Sequence, residues 1–175
     1  NNQIVHEWLV RDQAAIARQI GSNEREMAQN WLNLKGEFKK ESMPSAPSSY
    51  VSQIDNCGDA QKYGQLLGQV FHAEKSSKIE SFYSEEIISA LPGGEAAVGK
   101  NEIQYFWKSI VNSINLNSFQ IEHLVANTRP QRPTIVAARW RVQGSHDFDG
   151  RYGKATGKPV DRNGTTAGSS KRSCG

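Results

Sequence analysis

Residues 133–160, PTIVAARWRVQGSHDFDGRYGKATGKPV, decide the fold of this chain. In the first half of this stretch apolar and polar side chains alternate, with Val136, Trp140 and Val142 on one side and Arg139 on the other. Successive side chains leave a β-strand on opposite faces, so the alternation predicts a half-buried strand. Valine, isoleucine and tryptophan also suit a pleated surface, which favours the same interpretation.

A histidine and a glycine-rich segment follow this predicted strand. If the alternation continues past Gly144, His146 lies on the same face as Trp140 and faces whatever the sheet encloses. The segment behind His146 predicts a turn into a further strand. Its turn-forming residues are Gly150, Gly153, Gly157 and Pro159.

Three amphipathic helices are predicted at residues 22–41, 59–82 and 101–114, because apolar residues recur there at helical spacing. In the first helix this spacing indicates a core or partner contact rather than a cofactor site. The apolar stripe of that helix consists of Met27, Trp31, Leu34 and Phe38. Residues 41–52 are rich in proline and serine and predict a linker.

Two further segments have the alternation of strands. In residues 119–126, Phe119, Ile121 and His123 are expected on one face. Residues 1–11 alternate in the same way, with apolar residues on both faces. One face of this segment carries Ile4, His6, Trp8 and Val10. Helices followed by an antiparallel sheet define the α+β class.

Short motifs follow one another between residues 91 and 160. They are L-P-G-G at 91–94, G-K at 99–100, I-x-x-F at 103–106, A-x-R-W-x-V-x-G-S-H at 137–146 and T-G-K-x-V at 156–160. In order and spacing they resemble the SnoaL-like polyketide cyclase branch of the nuclear transport factor 2-like superfamily. The family usually has proline where this chain has Ala155. The resemblance implies a cone-shaped α+β fold, with helices packed in a curved antiparallel sheet around one deep pocket.

The first 21 residues resemble the end of such a domain, its last strand and terminal helix, although here they come first. We therefore interpret the chain as a fragment of a tandem protein. Its segments are a domain end (1–21), a helix and linker (22–55), a SnoaL-like core (56–160) and a flexible basic tail (161–175). The first segment would complete the core either in the same chain or, as a strand-exchanged dimer, in a second copy. A sheet edge left open by a missing strand also predicts a homodimer.

Composition restricts the class of protein. The 175 residues suffice for one ordinary domain, and their 37% hydrophobic content suits a globular protein. No apolar run reaches the roughly 20 residues that span a bilayer, and no secretory signal is visible, so we expect a cytoplasmic protein without a membrane partner.

Cys57 and Cys174 are expected to be free thiols. The basic residues after Gly150 are not interleaved with aromatics, which does not favour a nucleic-acid partner.

Four polar residues share faces with apolar strand residues and are candidates for chemistry: His6, Asp12, His123 and His146. A carboxylate in an apolar pocket has a raised pKa and can act as a general base, with an imidazole carrying the proton onward. The resemblance matches Asp12 to the family's base and places Trp8, Trp140 and His146 in its pocket. We therefore predict Asp12 and His146 as catalytic.

Each candidate also has a structural interpretation. Asp12 is equally suited to cap the helix that follows it, His123 to pack in the core, and His146 to meet solvent at the end of a strand. His6, Trp8, His123 and Trp140 are predicted to bind a ligand. Arg139 and Arg141 would form a solvated sheet face or a dimer contact.

The function predicted from these residues is that of a small-molecule pocket protein, with acid–base catalysis of an aldol-type cyclisation or isomerisation. The alternatives are a pocket that binds a small apolar molecule without turnover, and a dimerisation module. An epoxide hydrolase of this superfamily would need two acids and an arginine that converge. The sequence offers Asp12 as the acid and Arg139 or Arg141 as the arginine, and both arginines are expected on the wrong face of the strand. No motif indicates a metal or an organic cofactor, so neither is expected.

Overall fold

The computed structural model describes residues 11–36, 52–72 and 81–170. The chain divides into two compact units, one formed by residues 1–50 and 88–97 and the other by residues 51–87 and 98–175. This division differs from the predicted core at 56–160, because residues 88–97 join the first unit and the second unit continues past residue 160. Within the described residues, no helix is both long and apolar enough to span a bilayer.

The first unit contains two helices and a hairpin. The helices are α1 (Gln13–Gln19) and α2 (Glu24–Lys35), and the hairpin strands are β1 (Ile88–Leu91) and β2 (Glu95–Val98), of which Val98 is counted with the second unit. Gly93 and Gly94 take positive φ angles of 93° and 73° in the turn between the strands. Such angles suit glycine, which explains the P-G-G sequence at this turn.

Helix α2 does not bury its apolar stripe against described residues. Trp31 is 56% exposed and Leu34 83% exposed, and none of the residues of this helix is buried. The prediction of a helix at this position is correct, with Asn23 as its N-cap. The prediction of a core contact is not met among the described residues, and Phe38 lies outside them.

The second unit contains two helices and a three-stranded antiparallel sheet. Its elements are α3 (Gly58–Phe71), α4 (Lys100–Val111), β3 (Asn115–Asn127), β4 (Thr134–Ser145) and β5 (Pro159–Ser170), with the strands in the order β3-β4-β5. The core lies between α3 and the sheet. Its buried residues are Ala60, Leu67, Leu124, Val136 and Ala138. The predicted helices and strands of this unit are therefore present, and strand β4 has the predicted alternation of buried and less buried residues.

The predicted tail at residues 161–175 is wrong for its first ten residues. Strand β5 extends to Ser170 and pairs with β4 along its whole length. Its glycines make room for aromatic rings, since a Cβ at Gly164 would lie 2.1 Å from the ring of Trp140 and one at Gly168 would lie 2.9 Å from the ring of Tyr63. The glycines that make this segment look like a disordered terminus therefore allow two aromatic rings to pack against a strand.

Cys57 forms a disulfide, so the expected free thiol is wrong at this position. The only other cysteine in the sequence, Cys174, lies outside the described residues. Two cysteines this far apart carry no pairing signal in their spacing, which explains the error. Disulfides persist mainly in oxidising compartments, so the cysteines no longer support a cytoplasmic location.

A partly buried tyrosine, Tyr83, lies beside helix α4. The indole nitrogen of Trp107 donates a hydrogen bond to the hydroxyl oxygen of Tyr83 over 3.1 Å. Burial raises the pKa of Tyr83 to about 12, against a smaller opposing effect of this hydrogen bond. The proton is therefore held more tightly in the folded chain than in the unfolded one.

This difference predicts a loss of stability in alkali. Unfolded chains ionise their tyrosines near pH 10, so the unfolding free energy should fall between pH 10 and 12, by up to roughly 1.4 kcal/mol per pH unit from Tyr83. Urea denaturation at pH 9, 10 and 11 measures this slope. Tyr83→Phe should flatten it, whereas Tyr105→Phe, at a position 74% exposed, should leave it unchanged. Equal slopes in both variants would contradict the assignment.

Candidate functional site

His146 follows strand β4 directly and continues its alternation. It is 8% exposed and is among the few buried polar residues of the described chain. The prediction that it shares the face of Trp140 is confirmed, since Val142, Gly144 and His146 are all buried on that side. The alternative of a solvent-facing histidine is not met.

The loop between β4 and β5 folds back and fixes His146 by its backbone. The amide of His146 donates to the carbonyl of Lys158 over 2.9 Å, and its carbonyl accepts from the amides of Thr156 (3.0 Å) and Gly157 (2.9 Å). Gly157 has a φ of 63°, which a side chain would disfavour. This glycine therefore lets the loop reverse onto the end of β4.

One ring nitrogen of His146 has a partner and the other does not. Nδ1 lies 3.2 Å from the hydroxyl oxygen of Thr156. Nε2 is buried and has no hydrogen-bond partner among the described residues. A buried polar atom without a partner costs roughly 1–3 kcal/mol, so nearly all such atoms in folded proteins are paired. In either tautomer, Nε2 is the ring atom left over for a further partner.

His146 borders a cavity of about 200 Å³ at this end of the sheet. The cavity is formed by the β4–β5 loop, the start of β5 and Ile114 in the segment after α4. Its lining residues are Ile114, His146, Tyr152, Thr156, Lys158, Pro159, Val160 and Arg162. The wall thus combines an apolar side with hydroxyl groups, an imidazole and two cations.

Aromatic and charged side chains that line this cavity contact one another. The ring of Tyr152 meets that of His146 edge-on, with centroids 6.3 Å apart. The guanidinium of Arg162 lies 5.3 Å from the centroid of the Tyr152 ring, within the range of a cation–π contact. None of the described residues that line the cavity is acidic. Asp147 follows His146, but Ser145 and Asn115 donate to its carboxylate and lower its pKa.

Asp12 lies in the first unit and its expected pKa rise is wrong. Its carboxylate caps α1, accepting from the amide of Ala15 over 3.0 Å and from that of Gly93 over 2.7 Å. The Ala15 hydrogen bond is the largest influence and holds the pKa of Asp12 below its usual value, despite a smaller opposing effect of desolvation. The side chain is exposed and stays ionised, so Asp12 lacks the raised pKa that suits a general base.

His123 does not share the face of Phe119 and Ile121. A β-bulge between Ile121 and His123 inserts one residue, after which Leu124 is on the core face. His123 therefore lies on the face of the sheet away from the core, where its partner on strand β4 is Arg139. Its Nδ1 accepts a hydrogen bond from the amide of Gln53 over 3.2 Å. The prediction that His123 faces the interior is wrong.

Trp140 packs in the core and does not line the His146 cavity. Its ring lies 5.0 Å from that of Phe71 and 6.5 Å from that of Phe119, measured between centroids. His6 and Trp8, the other predicted ligand-binding residues, lie outside the described residues.

Arg139 and Arg141 lie on the face opposite the core, as predicted. Arg139 pairs with Glu122 over 2.9 Å, and Arg141 pairs with Asp161 over 2.7 Å. Both ion pairs join neighbouring strands, so these arginines hold the sheet together on its outer face. They do not converge with an acid inside the fold, which leaves the epoxide hydrolase alternative without support.

The alternation along β4 predicted the burial of His146, but it indicated none of the neighbours of His146 in the cavity. Tyr152, Thr156 and Lys158 belong to a loop, where no periodicity shows which way a side chain points. Arg162 belongs to the segment predicted as a tail. The T-G-K motif at 156–158 was the available signal, because it recurs in a family with a pocket.

No protein-family model and no curated protein matches this sequence. Among structures, a candidate SnoaL-like polyketide cyclase from Jannaschia sp. CCS1 has a TM-score of 0.50 and 13% identity over 68% of this chain and 83% of its own. A candidate polyketide cyclase from Xanthomonas campestris pv. campestris has a TM-score of 0.46 and 17% identity, over 63% and 82% of the two chains. An NTF2-like protein of unknown function from Exiguobacterium sp. 255-15 has a TM-score of 0.42 and 16% identity, over 61% and 81%.

At such identities the likeness concerns the fold alone, and it is the Jannaschia structure that carries it. Its α+β arrangement of helices and antiparallel sheet agrees with the elements of this chain. The chain therefore shares the α+β fold of this candidate SnoaL-like polyketide cyclase, the fold class that its motifs predicted.

Proposed function

We propose that this chain is a small-molecule binding protein and that its ligand occupies the His146 cavity. The observation that carries the proposal is the buried Nε2 atom of His146, which has no partner among the described residues although it belongs to a residue bordering a cavity. A ligand atom that pairs with Nε2 would remove the cost of burying it. This gain in free energy favours binding of a ligand in the cavity.

The size of the cavity limits the ligand. An apolar cavity of about 150 Å³ in another protein accepts benzene, so about 200 Å³ accommodates a single ring with a short substituent. The apolar part of the wall, Ile114, Pro159 and Val160, suits the ring, and the polar groups suit the substituent. The ligand we propose is therefore smaller than a polycyclic polyketide and less apolar than the sequence predicted.

Acid–base catalysis is the second candidate, favoured by a titratable imidazole at the cavity wall. Proton abstraction next to a carbonyl would use His146 as the base, oriented by the Thr156 hydroxyl. The carboxylate expected for this chemistry is not among the lining residues. Binding without turnover is therefore the function that the geometry supports best.

Acetophenone tests both candidates, because it carries one ring and one carbonyl oxygen that can accept from Nε2–H. Binding is followed by ligand-observed NMR titration. We expect His146→Gln to weaken binding about tenfold, the effect of one buried hydrogen bond. His72→Gln, at an exposed position after α3, is the matched control and should bind as the wild type does. Failure of the wild type to bind, or equal binding by both variants, would contradict the proposal.

The same sample separates binding from catalysis. In D₂O, exchange of the acetophenone methyl protons above the buffer rate, lost in His146→Gln, would support acid–base catalysis. Binding without such exchange would support the ligand-binding function alone.

The homodimer predicted from the sequence is also a proposal. Among the described strands, β5 pairs with β4 along one side, and its other side is an edge that a further strand could extend. Light scattering after size-exclusion chromatography should then give twice the chain mass of 19.4 kDa. A mass equal to one chain would rule the dimer out.

A further inference from the structure

We infer that the ligand of the His146 cavity is an anion, specifically a small aromatic carboxylate held by Arg162 and Lys158. This inference rests on the proposed function, since it names the ligand class of the same cavity. It is drawn from the charges around the cavity, the stacking of Arg162 and the composition of the wall.

The two cations of the cavity have no counter-ion among the described residues. Neither Arg162 nor Lys158 forms an ion pair with a described residue, although both line the cavity. The acidic residues closest in sequence have other partners. Asp161 binds Arg141 through two hydrogen bonds of 2.8 and 2.7 Å, and Asp149 accepts from the amide of Ala155 over 2.7 Å. The charge of the cavity wall is therefore positive and uncompensated.

The restrained guanidinium of Arg162 suits the binding of a planar anion. Its guanidinium stacks near the ring of Tyr152, which restricts its rotation without using its N–H donors. A guanidinium presents a fork of donors that matches the two oxygens of a carboxylate. Because the fork is already restrained, less conformational entropy is lost on binding.

The buried histidine and the apolar wall specify the rest of the ligand. His146 borders the cavity and is more than nine-tenths buried, and its Nε2, which has no partner among the described residues, is the atom inferred to donate to a ligand oxygen. The rings of His146 and Tyr152 meet edge-on and, with Ile114, suit contact with a flat ring. A benzoate-sized molecule combines a flat ring with one carboxylate and fits the volume of about 200 Å³.

Benzoate and benzamide test the inference, because they have nearly the same shape and differ in charge. Each is titrated into the intact chain and followed by NMR at low and at high salt. We expect benzoate to bind about tenfold more tightly than benzamide at low salt, and the difference to shrink at high salt. Arg162→Gln should remove most of the preference for benzoate.

Arg129→Gln is the matched control, since it removes the same charge at an exposed position of the β3–β4 turn, at the opposite end of β4. It should keep the preference for benzoate. Equal binding of benzoate and benzamide by the wild type, or equal losses in Arg162→Gln and Arg129→Gln, would overturn the anion inference and leave the proposed function standing. Binding of neither compound would overturn both.

Discussion

Gly164→Ala is expected to destabilise the chain by about 3 kcal/mol, because the added Cβ has no room. It would lie 2.1 to 2.4 Å from three atoms of the Trp140 ring, well inside van der Waals contact. The ring cannot turn away freely, since Phe71 and Phe119 pack against it. Relief therefore requires that strand β5 move away from the ring, at the expense of its hydrogen bonds with β4.

Two variants make this prediction specific. Gly68→Ala is the matched control, because a Cβ at Gly68 meets nothing within 4 Å and the residue lies inside helix α3. It should stabilise the chain by up to about 1 kcal/mol, since alanine favours a helix over glycine. In a Trp140→Leu background, Gly164→Ala should cost much less. Urea denaturation followed by circular dichroism measures the wild type, the two single glycine variants and the Trp140→Leu chain with and without Gly164→Ala, and an undiminished cost in that background would contradict the proposed clash.

Leu67→Ala is expected to cost about 2–5 kcal/mol of unfolding free energy, which is typical for a fully buried leucine. Leu67 has no exposed surface and lies in the core that joins α3 to the sheet, with Leu124 and Val136. Removing its side chain leaves a cavity that helix and sheet cannot both close. The loss should appear as a lower urea midpoint.

Leu34→Ala provides the comparison for this prediction. Leu34 is 83% exposed on helix α2, so its truncation should change stability by less than about 0.5 kcal/mol. If the two substitutions had equal effects, Leu67 would not lie in the core described for the second unit.

Patterns within one element predicted much of the fold. The alternation in β4 gave the strand, its buried face and the burial of His146, and the apolar spacing of α3 and α4 gave two helices of the second unit. These successes have one physical basis. A side chain on a regular element has its direction fixed by the period of that element, so burial follows from position alone.

The errors occurred where a residue's environment depends on a distant segment. The bulge before His123 exchanges the two faces of the strand for the residues that follow it. The sequence between Ile121 and His123 carries no signal for a bulge. Strand β5 was predicted as a tail because its small residues suit a disordered terminus, but their reason lies in the ring of Trp140. The Cys57 disulfide likewise depends on a partner far along the chain or in another copy.

The candidate site was predictable only in part for the same reason. His146 follows a regular strand, so its direction could be inferred, whereas the rest of the cavity comes from a loop and from β5. Asp12 was matched through the family resemblance, but the hydrogen bond from the Ala15 amide makes it the cap of helix α1, and together with the bond from the Gly93 amide it lowers the pKa of Asp12. A resemblance transfers a position, while the local hydrogen bonds decide the protonation state there.

Chemical-shift mapping of the ¹⁵N-labelled chain during an acetophenone titration tests the central proposal most directly, that the His146 cavity holds the ligand. The proposal predicts that the largest shifts fall on the amides of His146, Thr156 and Gly157, which hydrogen bonds link at the cavity wall. Shifts centred on other residues, such as those around Gly68, or no shifts at millimolar ligand, would contradict it.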